Sequence, residues 1–137
     1  VSYLLDTNVL SELRRKTPNP GVVAWFAKRP ASTLYLSILT LGELRKGIEG
    51  AVSDERRRIL LDWLETELPH FFMGRILPLD LAVADRWGRM VAAAGRPVAA
   101  IDSLIGATAA HHGMSLVTRN VRDYAALGLD LINPWDD

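Results

Sequence analysis

The chain has 137 residues, 49% hydrophobic and 23% charged, which is enough to bury a sizeable core and excludes a disordered segment. Sixteen basic and sixteen acidic residues cancel, so no global field draws the protein to nucleic acid, and any such binding must rest on local patches. There is no cysteine, which excludes disulfides and thiolate metal sites.

Tyr3-Leu4-Leu5 reads as a short strand running into Asp6-Thr7-Asn8, after which Val9, Leu10 and Leu13 recur at helical spacing. Strand, acidic turn and helix open an α/β fold. They place Asp6 at the carboxyl end of the first strand, the edge where ligands sit in open parallel sheets. A helix N-cap is the other use of an aspartate there. Arg14-Arg15-Lys16 closes the helix with the sign its dipole favours. Asn19-Pro20 opens a second helix with Val22, Val23, Trp25 and Phe26 as its apolar side, and Pro30 stops it. Leu34-Tyr35-Leu36 is the second strand. It leads through Ser37 to a helix that begins at Thr40 and runs to about Ile48. Thr40 and Glu43 stand in the capping-box relation, so Glu43 reads as a cap or as a site carboxylate.

Asp54 to Glu67 predicts a charged amphipathic helix with Ile59, Leu60, Leu61, Trp63 and Leu64 inward and Arg56-Arg57-Arg58 on a solvated face. Ile76-Leu77 is a brief third strand. Asp80 caps a helix to Ala94 that carries two apolar stripes, Leu81-Ala84-Gly88-Val91 and Val83-Trp87-Met90. One core contact needs one stripe, so the surplus is expected against another helix or a second copy of the chain. Ala100 to His112 is apolar nearly all round except for Asp102, the pattern of a buried helix. Gly113 ends it, and Met114 to Thr118 is the fourth strand. A short helix opened by Asn120 and Asp123 runs through Leu127, and Leu131-Ile132 is a fifth strand. The apolar run from Val98 to Val117 is broken by Asp102, His111 and His112, which excludes a membrane span, and no signal-like segment opens the chain; the expected location is cytoplasmic. Strands alternating with helices and no hairpin turns predict one α/β domain over 1–137, with a mainly parallel sheet of four to five short strands and helices on both faces.

Four acidic positions carry the chemistry: Asp6 after strand one, Glu43 in the helix after strand two, Asp102 in the apolar helix and Asp123 just after strand four. If strands one and four are neighbours, their carboxyl ends converge. Crowded carboxylates in a low-dielectric pocket repel one another, and a divalent hard cation relieves this. Oxygen-only donors point to Mg²⁺ or Mn²⁺ rather than zinc, and the adjacent His111 and His112 face different ways on a helix. Such a pocket is equipped to activate a water and clamp a phosphate. Thr7, Asn8, Thr118 and Asn120 supply hydroxyl and amide groups to orient that water.

Leu4-Leu5-Asp6-Thr7-Asn8, Ser37 to Glu43-Leu44, Asp102-Ser-Leu-Ile105-Gly-Ala-Thr-Ala109 and Leu116-Val-Thr118-Arg119-Asn120, in this order and spacing, resemble the PIN-domain family. The likeness is to the VapC-type toxins of bacterial toxin–antitoxin pairs and covers nearly the whole chain. It implies a three-layer α/β/α fold and an endoribonuclease dependent on one or two Mg²⁺ or Mn²⁺ ions, usually a homodimer. It also implies neutralisation by a small DNA-binding antitoxin whose tail occupies the active-site groove. Asp6, Glu43 and Asp102 match the family's three principal metal carboxylates. Many members carry an aspartate where this chain has Asn120, and others show an acid three residues further on, as Asp123 does here, which on this resemblance makes Asp123 a ligand of a second metal or a residue that orients the ligands of the first. With RNA as substrate, Arg14, Arg15, Lys16, Arg45 and Lys46 are candidate phosphate contacts, solvated helix ends being the other reading. Two rival readings have less support. A phospho-aspartyl phosphatase or receiver needs a late lysine, and the lysines are Lys16, Lys28 and Lys46; the phosphatases also need Asp-x-Asp, where Asn8 stands. A non-catalytic PIN-like module binding RNA or protein does not need the intact acidic set.

Overall fold

The computed structural model describes residues 1–51 and 53–136. The first half runs β1 (Tyr3–Leu5), α1 (Thr7–Leu13), α2 (Pro20–Ala27), β2 (Leu34–Ser37), α3 (Ile38–Glu49), α4 (Asp54–Asp62) and, after a π-helical turn at Trp63–Glu67, α5 (Leu68–Phe71). The second half runs β3 (Ile76–Leu77), α6 (Leu81–Ala93), α7 (Ala100–His111), β4 (Ser115–Val117), α8 (Val121–Tyr124) and β5 (Leu131–Ile132). Every pairing is parallel, in the order β3-β2-β1-β4-β5. Tyr3 is in register with Leu34 on one side and Ser115 on the other. The chain winds outward from β1 to β3 and then returns to β4 on the opposite side of β1. The winding sense therefore reverses between β1 and β4, and such a reversal opens a crevice at the carboxyl ends of the strands. Asp6 follows β1 and Thr118 follows β4, so both stand at that crevice.

Strand alternation sorts the core into two layers. Leu5, Leu34, Leu36, Val117 and Ile132 face the helices α1 to α5, while Leu4, Tyr35, Leu77, Leu116 and Leu131 face α6 to α8. Leu4, Leu5, Leu36 and Leu116 have no exposed surface, each contributing roughly 1.5–3 kcal/mol of burial. On the second face α7 packs close to the chain after β4. A Cβ added at Gly106 would meet the ends of Leu127 and Leu129 at 3.0 Å, so glycine sets the approach distance.

Several local expectations are corrected. The helix after β2 starts at Ile38, because Ser37 Oγ accepts the Leu39 N–H at 3.1 Å and caps it first. Thr40 is thus buried inside the helix, and the Thr40–Glu43 capping box does not form. The helix from Asp54 continues to Phe71 through a wide turn in which Leu68 N–H bonds to the Trp63 carbonyl, five residues back. Pro69 explains the widening: it has no N–H to donate and its ring would collide with the carbonyl four residues earlier. Ile59 is exposed rather than inward, and Arg56 is half-buried, donating to the Arg14 carbonyl at 2.6 Å. Arg14 is the C-cap of α1, so the basic run lies beyond that helix instead of in its last turn. In α7 only the middle, from Ser103 to Ala109, is buried apart from the half-buried Leu104; Asp102 lies in its first turn and is half-buried. On α6 the Val83-Trp87-Met90 stripe turns inward, while Leu81, Ala84 and Gly88 are exposed. Among the described residues no helix is long and apolar enough to cross a membrane.

Candidate active site

Asp6 is the floor of the crevice. Its backbone is still extended and donates to the Val117 carbonyl at 2.9 Å, so β1 and β4 fix its position. One carboxylate oxygen, Oδ1, accepts the Thr7 N–H at 2.8 Å at the start of α1. The other, Oδ2, accepts from Thr118 Oγ1 at 2.8 Å and from the Tyr124 hydroxyl at 3.0 Å. The helix-start and site readings of Asp6 therefore hold together, one oxygen each. Only 4% of the residue is exposed, and burial raises its pKa against three hydrogen bonds that lower it, with Glu43 adding like-charge repulsion.

Thr7, Asn8, Thr118 and Asn120 gather around Asp6. Thr118 Oγ1 also accepts from Asn8 Nδ2 at 3.3 Å and from the Asn120 N–H at 3.0 Å, and Asn8 Oδ1 accepts the Arg119 N–H at 3.4 Å. Glu43, in the second turn of α3, accepts from Thr7 Oγ1 at 2.5 Å, and that hydroxyl lies 3.1 Å from Thr40 Oγ1. Asp102 comes from the first turn of α7, its Oδ1 3.4 Å from the Tyr124 hydroxyl. Its pKa is raised by burial first and then by the charges of Asp6 and Asp123.

Asp6, Glu43 and Asp102 line one cleft of about 440 Å³, together with Asn8, Arg119 and Asn120. Arg15 and Trp135 complete its rim. Asp123 does not line this cleft. It is exposed on the other side of Asp102, beside Arg96 and Arg122, and acts on Asp102 through its charge. Of the candidate phosphate contacts only Arg15 borders the cleft. Arg14 lies over the Trp63 ring at 5.2 Å, Lys16 and Lys46 are exposed elsewhere, and Arg45 pairs with Glu65 at 2.6 Å and Glu49 at 3.6 Å. Among the described residues no lysine lines the cleft, where the phospho-aspartyl alternative requires one.

Sequence reasoning missed Tyr124, Glu12, Arg119 and Trp135. Tyr124 has no exposed surface, and its hydroxyl is held protonated by burial and by the negative charges of Asp6 and Asp102, which push its pKa far up. The available signal was a tyrosine next to Asp123 in a polar segment, since a buried tyrosine needs a partner for its hydroxyl.

The donor set suits a hard cation. Asp6 and Asp102 face the cleft with no ion pair among the described residues, and every candidate ligand atom is oxygen. No three acidic or histidine side chains among the described residues stand close enough to hold one ion directly. A hydrated Mg²⁺ or Mn²⁺ on one or two carboxylates fits that arrangement, because Mg²⁺ keeps several of its waters.

A parallel α/β/α fold with an acidic crevice at its switch point thus defines the class of protein. The PIN-domain profile matches residues 3–127, and the chain belongs to the PIN-domain family. Its relatives include the VapC ribonuclease Y4jK of Sinorhizobium fredii, 40% identical over 136 residues and covering 97% of each chain. Toxin FitB of Neisseria gonorrhoeae is 38% identical over 137 residues, covering 98% of this chain and 99% of the relative. Among solved structures, FitAcB from Neisseria gonorrhoeae superimposes with a TM-score of 0.92 at 38% identity, covering 97% of this chain and 98% of that one. Within the family the chain is of the VapC type of toxin.

Proposed function

We propose that this protein is an endoribonuclease, the toxin of a toxin–antitoxin pair, that hydrolyses RNA phosphodiester bonds in the Asp6–Glu43–Asp102 cleft with Mg²⁺ or Mn²⁺. One observation carries the reading: Asp6, Glu43 and Asp102, from three separate elements, share a cleft with no ion pair to any of them among the described residues, while Arg15 and Arg119 stand at its edge. An acidic floor with a basic rim suits a phosphate ester brought to a cation. The relatives named as ribonucleases, and FitAB bound to a DNA fragment, support both the activity and an antitoxin partner that binds DNA in complex.

Asp6 and Asp102 are the residues that would hold the ion, which when bound supplies a polarised water and charge neutralisation at the phosphate. Thr118, Tyr124 and the Thr7 N–H keep Asp6 in one orientation for this, so little has to rearrange when the ion arrives. Glu43 has one oxygen on Thr7 and none of the described residues donates to its other oxygen. In this reading it takes the proton of the attacking water as the new P–O bond forms, while the bond to the departing ribose oxygen breaks and that oxygen takes a proton from solvent. Asn8 and Asn120 line the same cleft; the Asn8 amide is engaged with Thr118 and the Arg119 N–H, and Asn120 offers its amide to the phosphate or the water. Asp123 acts from outside, through its charge on Asp102. The exposed Leu81-Ala84-Gly88 stripe of α6 is the face on which a second copy makes the homodimer.

Incubating the purified protein with structured RNA in Mg²⁺, Mn²⁺ or EDTA tests the activity. Cleavage with either metal that EDTA abolishes, and that Asp6→Asn removes, is the expected result. RNA binding without cleavage in any metal would leave a binding module instead.

A further inference from the structure

We infer that Trp135, Arg119 and Arg15 form a subsite for one nucleotide of single-stranded RNA beside the acidic cleft, the base lying on the Trp135–Arg119 platform and its phosphate held by the two guanidiniums. The proposal rests on the ribonuclease reading above and specifies how that site engages its substrate.

The platform is built from two ends of the chain. Arg119 directly follows Thr118, and its guanidinium lies over the Trp135 ring at 5.5 Å. Trp135 is half-buried and its backbone is fixed, the N–H bonding to Asn133 Oδ1 at 3.0 Å within a short helical turn. Arg119 is exposed and forms no ion pair among the described residues.

Arg15 is anchored differently. Its side chain is 65% exposed, yet Nη1 reaches both oxygens of Glu12, at 3.2 and 3.1 Å. Glu12 is itself covered and also accepts the Asn19 N–H at 2.8 Å, tying α1 to the start of α2. Burial disfavours the Glu12 carboxylate, but the bonds from Asn19 and Arg15 and the charge of Arg119 outweigh it and keep the group ionised. Glu12 thus anchors Arg15 at the mouth of the cleft, while Arg119 beside it keeps a charge with no ion pair among the described residues.

The neighbouring pocket between α1, α3 and α4 lacks these features. There Arg14 lies over Trp63, but that ring is only 9% exposed, and Arg56 spends a donor on the Arg14 carbonyl. An exposed guanidinium seated on an aromatic ring that is backed by the core, with a second guanidinium beside it, is the chemistry that takes an unstacked base and its phosphate, and a duplex cannot offer that base.

The test is binding of a fluorescent single-stranded RNA oligonucleotide in EDTA, across a salt series, to the parent, Arg119→Gln, Trp135→Leu and Trp135→Phe. Arg119→Gln should weaken binding about fivefold or more and reduce the salt slope by about 0.7. Trp135→Leu should weaken it about fivefold at every salt concentration with the slope unchanged, and Trp135→Phe should retain most of the affinity. Mn²⁺ binding by Arg119→Gln should match the parent. Arg119 is exposed, so this variant and Trp135→Phe decide the matter if Trp135→Leu does not fold. A parent that binds and cleaves RNA, with Arg119→Gln showing parental affinity and slope, would overturn the subsite and leave the ribonuclease reading standing. A parent that neither binds nor cleaves RNA would overturn both.

Discussion

The Tyr124 hydroxyl donates to Asp6 Oδ2 at 3.0 Å across 118 residues of sequence, and with Thr118 it ties the last part of the chain to the first acidic residue. Tyr124→Phe keeps the ring and removes the donor. It should cost about 1.5 kcal/mol in urea unfolding, the range for a hydrogen bond to a charged group. Losing the donor also raises the Asp6 pKa further, so the acid limb of the pH–activity profile should move to higher pH. An unchanged profile would mean the hydroxyl only fills space.

Without a metal the carboxylates repel one another. Asp102 has a raised folded-state pKa, so the folded protein binds that proton more tightly than the unfolded chain does. Its ionisation therefore opposes folding above the folded-state pKa. The penalty fades as the pH falls through that value and is gone below the ordinary 3.8. In EDTA at neutral pH, Asp102→Asn should be more stable than the parent, by no more than about 1 kcal/mol because solvent partly screens this half-exposed group. The advantage should shrink as the pH is lowered. Asp6→Asn should gain less, although Asp6 is more buried, since its amide nitrogen would face the Thr118 and Tyr124 hydroxyls that now donate to an oxygen. Thermal melts from neutral to acidic pH check both variants.

Arg45 is committed to Glu65 and Glu49, away from the cleft. Arg45→Glu should leave the salt dependence of RNA binding unchanged. A flattened slope in filter binding would show that the RNA path extends over the outer face of α3.

Leu81 is 88% exposed at the start of the outward stripe on α6. If a second copy covers it, Leu81→Lys should shift the protein from dimer toward monomer. Light scattering at micromolar concentrations measures this, and a parent already running at 15.2 kDa would refute the dimer.

Much of the fold was legible because its signals are local. Tyr3-Leu4-Leu5 before Asp6 and Ser115-Leu116-Val117 before Thr118 are short apolar runs whose strand character is set by neighbours in sequence. Asp80 was readable as a cap for the same reason, and its Oδ1 accepts the Val83 N–H at 2.9 Å. Glu43 was harder, because the Thr-x-x-Glu spacing imitates a capping box and only the position of Ser37 at the end of β2 decides that Thr40 lies inside the helix.

The chain's own order of residues determined which carboxylates exist and that they follow strand ends. What the tertiary structure decided is which of them meet. Asp102 looked the most buried because its helix is apolar, but burial is set by what packs on each turn, and its first turn opens onto the cleft while Asp6 lies beneath. Asp123 and Asn120 are three residues apart, yet the start of α8 leaves one in the cleft and the other outside it. Tyr124, Arg119 and Trp135 acquire their partners only when β4 docks beside β1 and the end of the chain folds back, contacts that no local spacing encodes.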